Sequence, residues 1–232
     1  MHKSLLSASL LALALAAPLA NAHNAGDIIV RAGAITVNPE ADSSSVKVDQ
    51  GPLKGADLGG KATMSSDTQL GLNFAYMITN NLGIELLAAS PFEHDVKLKG
   101  TALGAANGKL GTLKHLPPTL SLVYYPLDAN SAFQPYIGGG INYTWIYDEQ
   151  LSSEARANGF SNFKTENSWG LAWQVGADYM LTDNVMINAQ VRYIDIDTRA
   201  TVENNAVAPG TRAKVNVDVD PFIYMVGLGY KF

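Results

Sequence analysis

Counting back from Phe232, every second residue is large and apolar: Phe232, Tyr230, Leu228, Val226, Tyr224 and Phe222. The residues between them (Lys231, Gly229, Gly227, Met225, Ile223 and Pro221) are mostly small or mixed. A period of two is the pattern of a strand with one oily face. An oily face with aromatic ends, on the last strand of the chain, predicts the closing strand of an outer-membrane β-barrel.

The other end agrees. Lys3 supplies a positive charge, Leu5 to Ala17 form a short apolar run, and Ala20-Asn21-Ala22 is a small-x-small cleavage site. Residues 1–22 therefore read as a secretory signal peptide, and residues 23–232 as one barrel domain. The apolar run is too short to span a membrane, and no later segment reaches the ~18 apolar residues of a spanning helix. The chain has no Cys, which excludes disulfides and thiolate chemistry. Charged residues are 16%, below the ~25% of a soluble domain. The net charge of −5, without a basic block, argues against nucleic acid as a partner.

Turn chemistry divides the barrel. Thr79-Asn80-Asn81, Asp128-Ala129-Asn130 and Thr182-Asp183-Asn184 read as short turns. Asn38 to Ser66, Gly100 to Lys114, Asp148 to Asn167 and Glu203 to Arg212 read as long loops. Three turns and four loops predict an eight-stranded antiparallel transmembrane β-barrel, with turns in the periplasm and loops outside the cell. Alternation supplies lipid-facing rows: Leu70, Leu72, Phe74, Tyr76 and Ile78; Ile137, Ile141, Tyr143 and Trp145; Trp169, Leu171, Trp173 and Val175; Val185, Ile187, Val191 and Tyr193. Tyr76, Tyr179 and Tyr230 fall near the turn rim, and Tyr143, Trp145 and Trp169 near the other, as two aromatic girdles. A soluble β-sandwich would share the alternation, but not the signal peptide or oily faces on nearly every strand. Several strands outrun the ~9–11 residues that cross a bilayer, so the barrel should rise above the outer surface. Ser152 to Ala157 reads as a helical turn within the third loop. The Gly- and Ser-rich first loop reads as a mobile lid or a surface for contact with host or phage.

Four segments resemble the OmpW family of small outer-membrane proteins: Pro91-Phe92-Glu93-His94-Asp95, His115-Leu116-Pro117-Pro118-Thr119-Leu120, Pro135 to Thr144, and Tyr193-Ile194-Asp195-Ile196-Asp197. The resemblance covers essentially all of the chain after residue 22. It implies an eight-stranded barrel passing small, often hydrophobic, solutes, with a route that leaves sideways through the wall. The residues can be read toward that route directly. Inward positions near the turn rim include Arg31, Glu85, Asp178, Arg192 and Lys231, with Leu87, Tyr125, Tyr136 and Met186. In a barrel only wide enough for side chains, opposite charges should pair and plug the floor. Pro91 on the third strand faces Pro117 and Pro118 on the fourth. Proline donates nothing to a ladder, so the seam should open at that height. The bland alternative has these prolines merely ending the ladder above the membrane. The expected path is lined by Leu87, Ala89, Pro91, Phe92, His94, Pro117 and Pro118, in an upper lumen of mixed polarity. It would serve passive diffusion of small apolar solutes or small amino acids.

Other chemistry is poorly supported. A hydrolase would need a Ser beside His94 or His115, and Ser90 is expected to face lipid. His94, His115 and Asp95 offer donors for a divalent cation but no tight ligand spacing, so neither a metal nor a cofactor is expected. The expected partners are outer-membrane lipid and lipopolysaccharide, small-molecule solutes, and the barrel-assembly machinery through Phe232. Closure leaves no sheet edge, which predicts a monomer. A structural or adhesive barrel without transport is the competing function.

Overall fold

The computed structural model describes residues 22–232 apart from 103, 105 and 106. The signal-peptide expectation therefore falls almost wholly outside the described residues.

The strands are β1 (Ile28–Asn38), β2 (Asp42–Ser43), β3 (Val46–Gln50), β4 (Asp57–Met64), β5 (Asp67–Met77), β6 (Leu82–Ala89), β7 (Phe92–Thr101) and β8 (Gly108–Leu116). They continue as β9 (Thr119–Tyr124), β10 (Phe133–Leu151), β11 (Phe160–Thr165), β12 (Ser168–Met180), β13 (Val185–Ile194), β14 (Asp197–Asn204), β15 (Arg212–Asp218) and β16 (Phe222–Lys231). Among the described residues one short helix, α1 (Ser153–Ala157), is capped by Ser152, whose hydroxyl accepts from the Ala155 N–H as a helix start requires.

β1, β5, β6, β9, β10, β12, β13 and β16 pair antiparallel in a closed cycle, β16 returning to β1. This is the eight-stranded barrel that the alternation predicts. Its outer surface is apolar: Trp169 is 71% exposed, Trp173 60% and Ile137 59%. Such a band is costly in water and favourable in hydrocarbon. Inward positions are packed tightly. A methyl group on Gly140 would lie 2.1 Å from the Leu120 carbonyl oxygen, so only glycine lets β9 and β10 approach there.

Above this cycle β3, β4, β7, β8, β14 and β15 form a second laddered tier with β11 and the upper half of β10. Here the loop expectation needs correction. Most of Asn38 to Ser66 is strand, and Gly100 to Lys114 shortens to a connection between Thr101 and Gly108. The first loop is thus built largely of strands β2, β3 and β4 rather than of irregular chain. Glycines and lysines on the outward face masked the alternation, while Val46, Val48, Val96, Leu98, Val202 and Val215 turn inward and are buried. Of the eight long strands, only β10 runs unbroken through both tiers, over 19 residues.

Candidate functional site

The lumen changes character with height. In the lower tier it is a polar knot of fully buried side chains. Arg31 grips Asp178 with two N–H groups, Nε to Oδ1 at 2.9 Å and Nη2 to Oδ2 at 2.5 Å. It also donates to the Tyr125 hydroxyl (2.9 Å), Asn73 (3.3 Å) and Glu85 (3.4 Å). Glu85 accepts from Arg192 (2.7 Å) and Gln174 (2.9 Å), and Arg192 also donates to the Gln174 amide oxygen. His23 and Asn188 complete the shell of Asp178 at 3.2 and 2.8 Å. Two guanidinium groups thus balance two carboxylates where neither water nor lipid would solvate them. The structure joins Arg31, Glu85, Asp178 and Arg192. Lys231 lies apart, its Nζ 3.9 Å from Asp27.

In the upper tier the lumen is apolar. Ile35, Val37, Leu87, Phe92, Ile146, Ile196, Val219 and Ile223 belong to one buried cluster that begins directly over the polar floor. Of the mixed polarity expected there, the hydrocarbon share dominates, and His94, His115 and Thr144 supply the polar part at the waist. Two cavities within it are small, about 40 Å³ beneath the mouth and about 30 Å³ at the waist.

Between the tiers the wall is incomplete on one side. The ladder between β6 and β9 ends at Leu87↔Thr119, and that between β7 and β8 resumes at Phe92↔His115. Ala88 to Pro91 thus face Leu116 to Pro118, four residues against three, and among the described residues no backbone hydrogen bond joins the two segments. Three of these seven residues are prolines, which lack the N–H a ladder needs. The extra residue shifts the inward phase from Leu87 to Phe92, as in a bulge. The neighbouring seams hold at this height. The Ser90 N–H donates to Leu70 O (2.9 Å), Glu93 N–H to the Asp67 carboxylate (2.9 Å), and Tyr143 N–H to Pro118 O (3.2 Å). The interruption therefore belongs to the third and fourth long strands.

Leu87, Phe92, His94 and Pro117 are buried at this break, Ala89 is half-buried, and Pro91 and Pro118 are exposed. Pro91 therefore marks the outer lip and does not line the lumen. Two polar residues that sequence reasoning missed complete the site. Thr119 donates to Pro117 O at 3.0 Å, and Asn142 donates to Pro118 O (3.1 Å) and to the Thr119 hydroxyl (3.0 Å). Thr119 satisfies the Pro117 carbonyl released from the broken seam, and Asn142 adds a second donor to the Pro118 carbonyl that Tyr143 already bonds. The Pro-Pro-Thr run carried that signal, since a carbonyl opposite a proline needs another donor.

Just above the break His94 and His115 meet, Nε2 to Nε2 at 2.7 Å, with Phe92 stacked on His115 at 5.3 Å. His94 Nδ1 donates to Ser65 O, so its Nε2 accepts and His115 Nε2 donates. Burial above all pushes the His115 imidazole down to about 3, and the adjacent His94 pushes the same way. Asp95 points outward and pairs with Lys109 at 2.6 Å, away from both imidazoles. Ser90 donates to Gln69 at 3.1 Å. The histidines are thus a neutral pair tying β7 to β8 where the ladder restarts.

Comparison with known proteins places this arrangement. The model of the OmpW family matches residues 24–232. Outer membrane protein W of Vibrio cholerae serotype O1 is 43% identical over 211 residues, 91% of each chain. Its counterpart in Escherichia coli strain K12 is 40% identical over 230 residues, 99% of this chain and 100% of that one. The crystal structure of OprG from Pseudomonas aeruginosa matches with a TM-score of 0.84 at 50% identity, over 92% of this chain and 99% of that one. With its lipid-facing band and closed strand cycle, the chain is an outer-membrane β-barrel of a Gram-negative bacterium, and it belongs to the OmpW family.

Proposed function

We propose that this barrel is a channel for passive diffusion of small hydrophobic or weakly polar solutes, small amino acids included. Solutes enter the apolar upper lumen from outside and leave sideways between the third and fourth long strands. One observation carries the reading. The ladder is missing between Ala88–Pro91 and Leu116–Pro118, at the height where apolar lumen gives way to a salt-bridged floor. A solute that reaches this level meets buried charge below and a wall without backbone bonds beside it. Nothing in the route calls for covalent chemistry, and the reading includes no enzymatic step. Its partners are outer-leaflet lipopolysaccharide and, through the exposed Phe232 ring, the barrel-assembly machinery.

The small upper cavities favour the competing reading of a structural or adhesive barrel, because a solute must displace side chains to pass. Uptake into proteoliposomes decides between them, with small amino acids, small apolar solutes and sugars compared in wild type and Pro91→Ala. The channel reading expects selective wild-type uptake that falls severalfold in the folded variant. No uptake of any solute by wild type would establish the structural reading. Uptake unchanged by the substitution would remove Pro91 from the route.

A further inference from the structure

The outward face of the upper tier carries a feature that transport does not use. Lys164 of β11, Thr201 of β14, Lys214 of β15 and Lys47 of β3 lie in register across four neighbouring strands. Their chain neighbours Phe163, Val202, Val215, Val46 and Val48 are buried, so the row itself points away from the lumen. Lys47 stands directly opposite Lys214, and like charges in that position destabilise a sheet. Among the described residues none of the three lysines forms an ion pair, although nearby arginines do. Arg199 pairs with Glu166 at 3.2 Å, and Arg212 grips Asp49 at 3.0 and 2.6 Å. Asp57, the register partner of Lys47 on β4, accepts hydrogen bonds from Ser45 and Gly59, each at 2.8 Å, and attracts Lys47 only through space.

Two hollows flank Lys214. One, of about 210 Å³, is bordered by Lys164, Arg199 and Arg212 with the hydroxyls of Thr165 and Thr201. The other, of about 220 Å³, is bordered by Lys47, Ser44, Ser45 and Asn216. The acids bordering them, Asp49 and Glu166, are the two already held by arginine. Ammonium groups without a contact ion pair, beside hydroxyls and an amide, suit a phosphate. On a chain of net charge −5 this is a local excess of positive charge.

We infer that this row binds phosphate groups on the sugar core of an outer-leaflet glycolipid. The inference rests on the partner reading above and gives it a site. Position selects the source of the phosphate. The side chains radiate sideways from the barrel wall, toward neighbouring molecules of the leaflet. Thr201 lies four residues beyond Asp197, whose N–H bonds Ser168 beside the girdle residue Trp169. At ~3.3 Å per residue and a strand tilt of ~40°, that is about 10 Å above the girdle. Headgroup phosphates lie at the girdle, so a phosphate at this height belongs to the attached sugars.

The test uses the full folded chain in detergent micelles, titrated with three probes. They are rough lipopolysaccharide with a phosphorylated core, the same material after removal of core phosphate, and lipid A alone. Wild type should bind the first at least tenfold more tightly than the other two. Lys47→Gln/Lys164→Gln/Lys214→Gln should abolish that preference, whereas Lys97→Gln/Lys99→Gln/Lys109→Gln on the opposite wall should keep it. Equal binding of all three probes, preference for lipid A alone, full affinity in the first triple variant, or equal loss in both variants would overturn the site. Heat-dependent gel migration checks that each variant is folded. Solute uptake into glycolipid-free vesicles, measured in parallel, judges the transport reading separately.

Discussion

Arg31→Met tests how the floor is held. The guanidinium makes two hydrogen bonds to Asp178 and one each to Tyr125, Asn73 and Glu85, all among fully buried groups. Its removal leaves Asp178 without its charge partner in a dry site, with His23 and Asn188 as its remaining donors. Glu85 keeps Arg192 and Gln174, so most of the penalty falls on Asp178. Breaking a buried pair by removing one partner costs about 3–5 kcal/mol. At a urea dependence of about 2 kcal/mol per molar, a loss of about 4 kcal/mol lowers the unfolding midpoint by about 2 M. The assay is urea unfolding from phosphatidylcholine vesicles followed by tryptophan fluorescence. Its signal comes from Trp145, Trp169 and Trp173, all on the lipid face and away from the floor. Arg31→Met/Asp178→Asn should recover at least half of the loss, because the uncompensated charge is gone. Uptake of apolar solutes should change little in either variant, since the proposed route leaves above the floor. A single variant within about 1 kcal/mol of wild type, or a double variant less stable than the single, would refute the reasoning.

Two further outcomes follow from the waist. Thr119→Val removes the donor to Pro117 O and the acceptor for Asn142, which should cost about 1–3 kcal/mol and speed amide exchange at Leu87 and Phe92; unchanged exchange there would contradict that role. The His115 imidazole is held at about 3, against about 6.5 in the unfolded chain. Between those values the unfolded state binds more protons, so stability falls as the pH drops through this window, by roughly 3 kcal/mol at pH 4. His115→Asn should lose that part of the acid sensitivity and keep the part due to carboxylates. Identical pH profiles for wild type and variant would contradict the buried neutral pair.

The lipid-facing half was legible because hydrocarbon imposes a strict rule. Every outward position of the lower tier must be apolar, so Leu70 to Ile78 and Trp169 to Val175 announce their strands. The upper tier faces water, where Lys97, Lys99 and Lys109 satisfy the outside and hide the alternation of Val96, Leu98 and Leu110 within. The charged floor was readable as a set of inward positions, but the pairing was not, because Arg31, Glu85, Asp178 and Arg192 come from four different strands. The three prolines pointed to the broken seam. The orientation of Pro91 was not readable, because one extra residue between Leu87 and Phe92 reverses the phase of the strand. Thr119 owes its role to the Pro117 carbonyl those prolines leave unpaired, and Asn142 owes its role to holding the Thr119 hydroxyl, a consequence visible only once the strands are in register.

The central claim is that solutes leave through the wall, and a staple across the break tests it most directly. The chain has no native Cys, so Ala89→Cys/Pro117→Cys introduces the molecule's sole pair of thiols. A short bifunctional thiol reagent then joins the strands where the ladder is missing. Uptake into proteoliposomes is compared for the free, the cross-linked and a singly modified barrel. Exit through the wall predicts that cross-linking removes most uptake of small apolar solutes while single modification leaves it. Full uptake through a quantitatively stapled seam would contradict the lateral route.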